Sequence, residues 1–233
     1  MKVSVVVPTL NEEKSLRKML ESVRSQKTAH DIEIIIVDSY SKDKTLEIAE
    51  ELADKVLFTP PGIIAKARQK GSMAAEGDII VSTCADSIYE PDWLEELIKP
   101  IASGRYIATA GKLLPHEGTH IENIFSEVVM ANVARAGMRL KMPFVGGENM
   151  AFTRESFRAV KGFRTDLVTG EDTDLMKRLL IKGKVKYCPK AVVRLSTRRF
   201  RKWGYGRYLL YHSSNFLRMH LLNKSHTQYE PIR

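Results

Sequence analysis

Cysteine is scarce: the 233 residues hold two, Cys84 and Cys188. They lie far apart and form no C-x-x-C pair, which excludes a disulfide framework and a sulfur-based zinc site. Two buried thiols in a reducing compartment are expected instead. Long hydrophobic runs are also missing, since no stretch approaches the ~18 apolar residues of a membrane span. The apolar run in MKVSVVVPTLNEE is too short for a signal peptide, stops at Pro8 and is followed by charge, so it reads as a strand. These absences describe a soluble, cytoplasmic chain. Glycine is absent after that first strand, where PTLNEE is acidic. A phosphate-cradling glycine loop of the kind a nucleotidyltransferase would use is therefore not expected.

Acidic residues are nearly absent from the C-terminal end. Residues 194–233 contain nine Lys or Arg and one acid, Glu230, whereas residues 1–193 contain 28 basic and 27 acidic residues. The total of +9 thus sits in a basic tail on a balanced body. A near-neutral body argues against a nucleic-acid binder. The tail points to an anionic partner such as a diphosphate or a membrane surface, or to a solvated end.

With 43% hydrophobic residues, the chain can bury one large core. Its first half alternates two periodicities. Val3–Val7, Ile32–Val37, Val56–Phe58 and Asp78–Ser82 are short apolar runs of the kind buried strands show. Between them, Glu12–Ser25, a segment capped by Ser41 or Asp43, and Ile63–Ala75 carry helical spacing. Pro91 opens a further helix that buries Trp93, Leu94, Leu97 and Ile98. This order predicts an α/β fold with a Rossmann-type, mostly parallel central sheet flanked by helices. In the second half, Tyr106–Lys112 reads as a strand, Ile121–Met138 and Glu171–Ile181 as helices, and Gly146-Gly147 as a tight turn. Trp203–Leu222 reads as an amphipathic helix that packs on the core, meets a second subunit in a homodimer, or lies on a membrane. Residues 1–200 form one expected catalytic domain, with halves at 1–88 and 89–200, and 201–233 the tail.

In such sheets ligands bind beyond the carboxyl ends of the strands. The residues there are Pro8 to Glu12, Asp38-Ser39 and Thr83 to Asp86. Asp38 can accept from the N–H groups of a uracil or guanine, or cap the following helix. Asp86, with Glu90 and Asp92 nearby, can contribute to a magnesium or manganese site together with phosphate oxygens. Asp172 and Asp174, two apart, cannot share a helical face, so their roles must differ. A carboxylate at that helix start can deprotonate a hydroxyl or serve as a cap. Arg198 and Arg199 offer forked donors for phosphate.

In order, VVVPTLNE, IIIVDSYSKDKT, AKARQKG, STCADS, GGENMAFTRESFRAVKGFRTD and GEDTDLMKRL resemble the family 2 glycosyltransferases of the GT-A fold. The likeness runs from residue 3 to about residue 200. It implies an inverting transfer of sugar from a nucleotide diphosphate sugar to a glycan or lipid-linked acceptor, through a hydroxyl or a lipid phosphate. Pro8, Thr9, Glu12, Asp38 and Arg68 are then nucleotide contacts. Asp86 closes a D-x-D metal motif whose first acid is replaced by Cys84, and Asp172 is the base beside Glu171. Gly146, Gly147 and Glu148 shape the acceptor side. Gln69 stands where the family has Asn, and Arg194 stands near the place of a metal-contacting His. Arg198 or Arg199 would then neutralise the leaving diphosphate. A binding protein on the same scaffold, without catalysis, is the alternative, favoured by Cys84 and opposed by Arg68, Asp86 and Asp172.

Overall fold

The computed structural model describes residues 1–229. An eight-stranded sheet runs in the order β3-β2-β1-β4-β7-β6-β8-β5. The strands are β1 (Lys2–Thr9), β2 (Asp31–Asp38), β3 (Lys55–Phe58), β4 (Ile79–Ser82), β5 (Ser87–Tyr89), β6 (Ala108–Pro115), β7 (Met150–Thr153) and β8 (Val185–Leu195). The half of the sheet from β3 to β4 is parallel throughout. Strand β7 enters antiparallel between β4 and β6, and β5 runs antiparallel on β8. With β6 and β8 parallel, the sheet is mostly parallel.

Burial on both faces explains the unbroken apolar strands. Val3, Val5, Val7, Ile34 and Ile36 face α1 (Leu16–Arg24) and α4 (Trp93–Ala102), whose Leu16, Leu20, Trp93 and Leu97 complete that core. Val6, Ile35, Val37 and Ile80 face the other way, onto Ala67 of α3 (Ile64–Ala74) and Leu175, Met176 and Leu179 of α8 (Glu171–Lys182). Phe157 of α7 (Arg154–Ala159) joins that side. The period of two within one strand thus serves two cores at once.

Several expected boundaries moved. Helix α2 (Thr45–Leu52) starts after Lys44, with neither Ser41 nor Asp43 at its N-cap position. Asp43 instead accepts from the Thr45 backbone, while Ser41 is drawn to Asp38. The long second-half helix is α5 (His120–Ile124) and α6 (Ala131–Arg139), joined by a π-helical segment, Phe125–Met130. The C-terminal helix is broken at Gly204, whose φ of 75° separates α9 (Arg198–Trp203) from α10 (Tyr205–Leu221). Glu230, the tail's acid, lies outside the described residues. Among the described residues no helix is long and apolar enough to cross a membrane.

Candidate active site

The carboxyl ends of β1, β2 and β4 converge. Thr9 Oγ1 donates to Asp38 Oδ1 at 3.0 Å, and the Ser41 N–H donates to Asp38 Oδ2 at 2.8 Å. Ser41 Oγ adds a third bond to Oδ1 at 2.6 Å. Asp38 is buried, and its carboxylate organises the loop after β2, with lone pairs remaining for a ligand. Pro8 precedes Thr9 in β1, in register with Val37. The loops after β1 and β2 are stitched together further on, where Asn11 donates to Ser41 and accepts from Lys42.

Arg198 joins three loops. Its guanidinium forks onto both Glu12 oxygens, at 2.6 and 3.1 Å, and reaches Asp86 Oδ2 at 3.0 Å. Glu12 is buried, whereas Asp86 and Arg198 are partly exposed. A residue from the chain's far end therefore carries the positive charge beside Asp86. Arg199, its neighbour, does not come to this point. It stacks on Tyr229 and Trp203, with its guanidinium 4.2 and 5.3 Å from the ring centroids. Consecutive residues of a helix diverge by about 100°, so only one of the pair can face Asp86. Arg194 is also elsewhere, bonded to Glu90 at 2.6 Å, and Asp92 lies 3.6 Å from Lys27. Neither acid joins Asp86.

A second cluster surrounds Arg68. Its Nη1 donates to Glu171 Oε1 at 2.6 Å, and both side chains are almost wholly buried. Burial, then the adjacent Asp172 carboxylate, pushes the Glu171 carboxyl up to about 7, with Arg68 pulling against them. Glu148 is also raised, first by burial, with Arg68 opposing. The turn at Gly147 exists to admit this arginine: a Cβ there would stand 1.8 Å from Arg68 Nη1. Gly146 is similarly crowded, by Glu148 and Leu113. Gly170, at φ 79°, lies just before α8 and turns the chain into that helix.

Asp172 occupies the first turn of α8, partly exposed. Its Oδ2 accepts from the Gly147 N–H at 2.8 Å and its Oδ1 from the Thr173 N–H at 2.6 Å. Two donors and the positive end of the helix dipole thus hold a carboxylate in one orientation. Asp174 has the separate role that the spacing required, since it is buried and bonds Arg178 and Arg164.

A hard divalent cation beside Asp86 needs oxygen donors. Among the described residues, no group of three or more His, Cys, Asp or Glu is placed to hold a metal. Cys84 is buried and hydrogen-bonded to Ser87 Oγ at 2.8 Å. Burial, then Asp86 and Glu148, holds its thiol well above the ordinary range, so it is protonated and a poor ligand. One carboxylate is enough for magnesium or manganese when substrate phosphates supply the other oxygens. The site fits a cation on those terms only.

Asp172, Glu171, Glu148, Gly146 and Arg68 also line one end of a cavity of about 720 Å³. Asp86 lies outside it. Its remaining walls come largely from the helix around the π segment and from α10, elements not connected with the site by sequence. Tyr89 and Asn149 were likewise missed. Tyr89 Oη accepts from the Cys84 N–H, and Asn149 ties Trp93 to the backbone of Lys112 and Ala191. Nothing in their local sequence marks them, because both act through contacts distant in the chain.

A crevice at the carboxyl edge of a mostly parallel sheet, with a basic bridge over one acid and a second acid at a helix start, is an arrangement of the GT-A fold. Residues 4–160 match the model of Glycosyl transferase family 2, and the chain belongs to that family. It is 28% identical over 202 residues to a dolichol-phosphate mannosyltransferase of Pyrococcus furiosus, covering 79% of this chain and 53% of that protein. It therefore spans about half the length of that curated relative. Among solved structures, the mannosyltransferase PcManGT of Pyrobaculum calidifontis, in complex with GDP-Man and Mn²⁺, is 25% identical with a TM-score of 0.75. That match covers 95% of this chain and 63% of that one. S. aureus TarS 1-349, in complex with UDP-GlcNAc, shares the fold at a TM-score of 0.69 and 21% identity, over 85% of this chain and 59% of that one.

Proposed function

We propose that this protein transfers a sugar from a nucleotide diphosphate sugar to an acceptor hydroxyl, with inversion, using Asp172 as the base. The observation that carries this reading is the Asp172 carboxylate, aimed by two backbone N–H groups at the end of a cavity open to an acceptor. In this reading Pro8, Thr9, Glu12, Asp38 and Arg68 serve the nucleotide end of the donor. Asp172 takes the hydroxyl proton, and the oxygen attacks the anomeric carbon from the face opposite the departing nucleoside diphosphate. Arg198, already beside Asp86, places a fixed positive charge where the leaving diphosphate gains negative charge. A hydroxyl nucleophile needs a base and a lipid phosphate does not, so Asp172 favours a hydroxyl. Gly146, Gly147, Glu148 and Glu171 bound the acceptor side. The decisive experiment is release of nucleoside diphosphate across UDP, GDP and dTDP sugars. Turnover of at least one supports the reading, and none, with acceptors supplied, would overturn it.

Asp86, completed by diphosphate oxygens, would hold a magnesium or manganese ion, which supplies Lewis-acid neutralisation of the leaving group. That a mannosyltransferase of the same fold was solved with Mn²⁺ supports the expectation. Chelator should abolish turnover, and added Mn²⁺ or Mg²⁺ should restore it. Asp86→Ala should shift the cation concentration for half-maximal rate upward, or leave no rate to measure. Undiminished turnover by metal-free protein in chelator would remove the cation from the account.

The tail supports a peripheral membrane location. Arg201, Lys202 and Arg207 are exposed, and so are Tyr205, Leu209 and Leu210 beside them. Such a mixture suits an interface with anionic lipid. Co-flotation with anionic but not neutral liposomes is expected. It should weaken as salt rises, because screening acts beyond ~8 Å at physiological ionic strength. Equal recovery with both lipids would leave the tail as a packing or homodimer surface.

A further inference from the structure

The cavity beside Asp172 has a polarity gradient. Of its lining carboxylates, Glu171 is buried and Glu148 and Asp172 are half-buried. Phe125, Val129 and Val133 on one helix and Leu209, Phe216 and Leu217 on the other belong to the apolar wall, with Tyr208, His212 and Asn215 of α10 adding polar groups. Five of those six apolar residues are also exposed at the surface, by 40% (Phe125), 44% (Val129, Val133 and Leu209) and 53% (Leu217). The apolar walls therefore continue outward to an apolar rim. Ile121, Val128 and Leu210, on the same two helices, are exposed by 79%, 54% and 73%. Apolar side chains exposed at the edge of a cavity mark a place for an occupant.

We infer that this cavity holds the hydrocarbon chain of an amphiphilic acceptor, its hydroxyl-bearing polar end at Asp172 and its chain leaving between α10 and the helix formed by α5, the π segment and α6. The assignment rests on the transferase reading for the identity of the polar end alone. Three observations select this occupant. A volume of about 720 Å³ falls within the range of pockets for small ligands, about 300–1,000 Å³, whereas a partner helix is about 10–12 Å across with its side chains. The gradient, carboxylates inside and apolar walls outside, matches a molecule that enters polar end first. The exposed cations Arg201, Lys202 and Arg207 stand on α9 and α10 beside the apolar residues of α10, as an anionic lipid layer around the chain would require.

The test is equilibrium binding of octyl, decyl and dodecyl glucosides, each below its micelle concentration and without donor. Affinity should climb with chain length, by up to about fourfold per added CH₂, the factor equivalent to ~0.8 kcal/mol. The double variant Val129→Gln, Leu217→Gln changes two surface-reaching wall residues and should fold. It should flatten that dependence. Ala134→Phe, which fills the cavity from α6, should flatten it independently. Affinity indifferent to chain length would overturn the inference. So would a slope unchanged in both variants, since the chain would then lie elsewhere. Nucleoside diphosphate release by the wild-type protein, with donor and acceptors supplied, is measured in parallel. Its absence alongside chain-dependent binding would sink the transferase reading and leave the cavity assignment standing. Nucleoside diphosphate release without chain dependence would do the reverse.

Discussion

Asp172→Asn should lower sugar transfer by ~10²–10⁴-fold, the usual contribution of a general base, while donor affinity changes little. The substitution keeps the shape of the side chain and removes its proton-accepting charge. It also has a local cost. Asp172 accepts from two backbone N–H groups, those of Gly147 and Thr173, through different oxygens. Asparagine has one acceptor oxygen, so its NH₂ must meet one of these donors. A small shift of the Gly147 turn would accompany the chemical loss. Initial rates at saturating acceptor, with donor binding titrated separately, distinguish the two. A fall in kcat with near-constant donor Kd supports the base. Turnover near wild type in the variant would exclude it.

The second large effect is on stability. Arg68→Met should destabilise the fold by about 3–5 kcal/mol, the usual cost of removing one partner from a buried pair. Arg68 and Glu171 are 103 residues apart in sequence and nearly inaccessible to solvent. Methionine keeps most of the volume, so the loss reports charge rather than a cavity. Its pH dependence identifies the cause. The Glu171 carboxyl is raised from 4.5 to about 7 in the folded protein. An acid raised on folding contributes stability that is complete below its unfolded pKa and lost as pH climbs through the folded one. In the variant, the pull of Arg68 is gone and the folded value rises further. Both proteins then lose stability in parallel up to about pH 7, and only the variant continues to lose it above. Urea denaturation at about pH 6 and about pH 8.5 should show the gap widening. A constant gap, or a loss below about 1 kcal/mol, would mean that Glu171 is not held by this arginine.

The strands and first helices were legible because their evidence is local. Val3 to Val7 and Ile32 to Val37 are apolar at every position or nearly so, which only a strand covered on both faces tolerates at that length. Gly147 could be suspected as a close approach, although nothing nearby in sequence says that Arg68 approaches it. The choice between Arg198 and Arg199 was not legible. Both have the same chemistry, and the helix start that turns one toward Asp86 depends on where β8 ends. Arg194 and Glu90 were drawn together by the antiparallel pairing of β5 and β8, and β5 has only three residues, too few for a periodic signal.

The sequence alone determined the alternation of strand and helix, the positions of the loops at the strand ends, and the order of the family 2 motifs. Each depends on residues within a few positions of one another, where periodicity and turn chemistry act directly. The tertiary structure decided which charges meet: Arg198 with Glu12 and Asp86, Arg68 with Glu171, and Asp172 with Gly147. It also decided that α10 and the helix around the π segment enclose an apolar cavity ending at Asp172. Those facts are set by the packing of elements far apart in the chain, and a single sequence carries no local signal for a contact whose two halves are each ordinary by themselves.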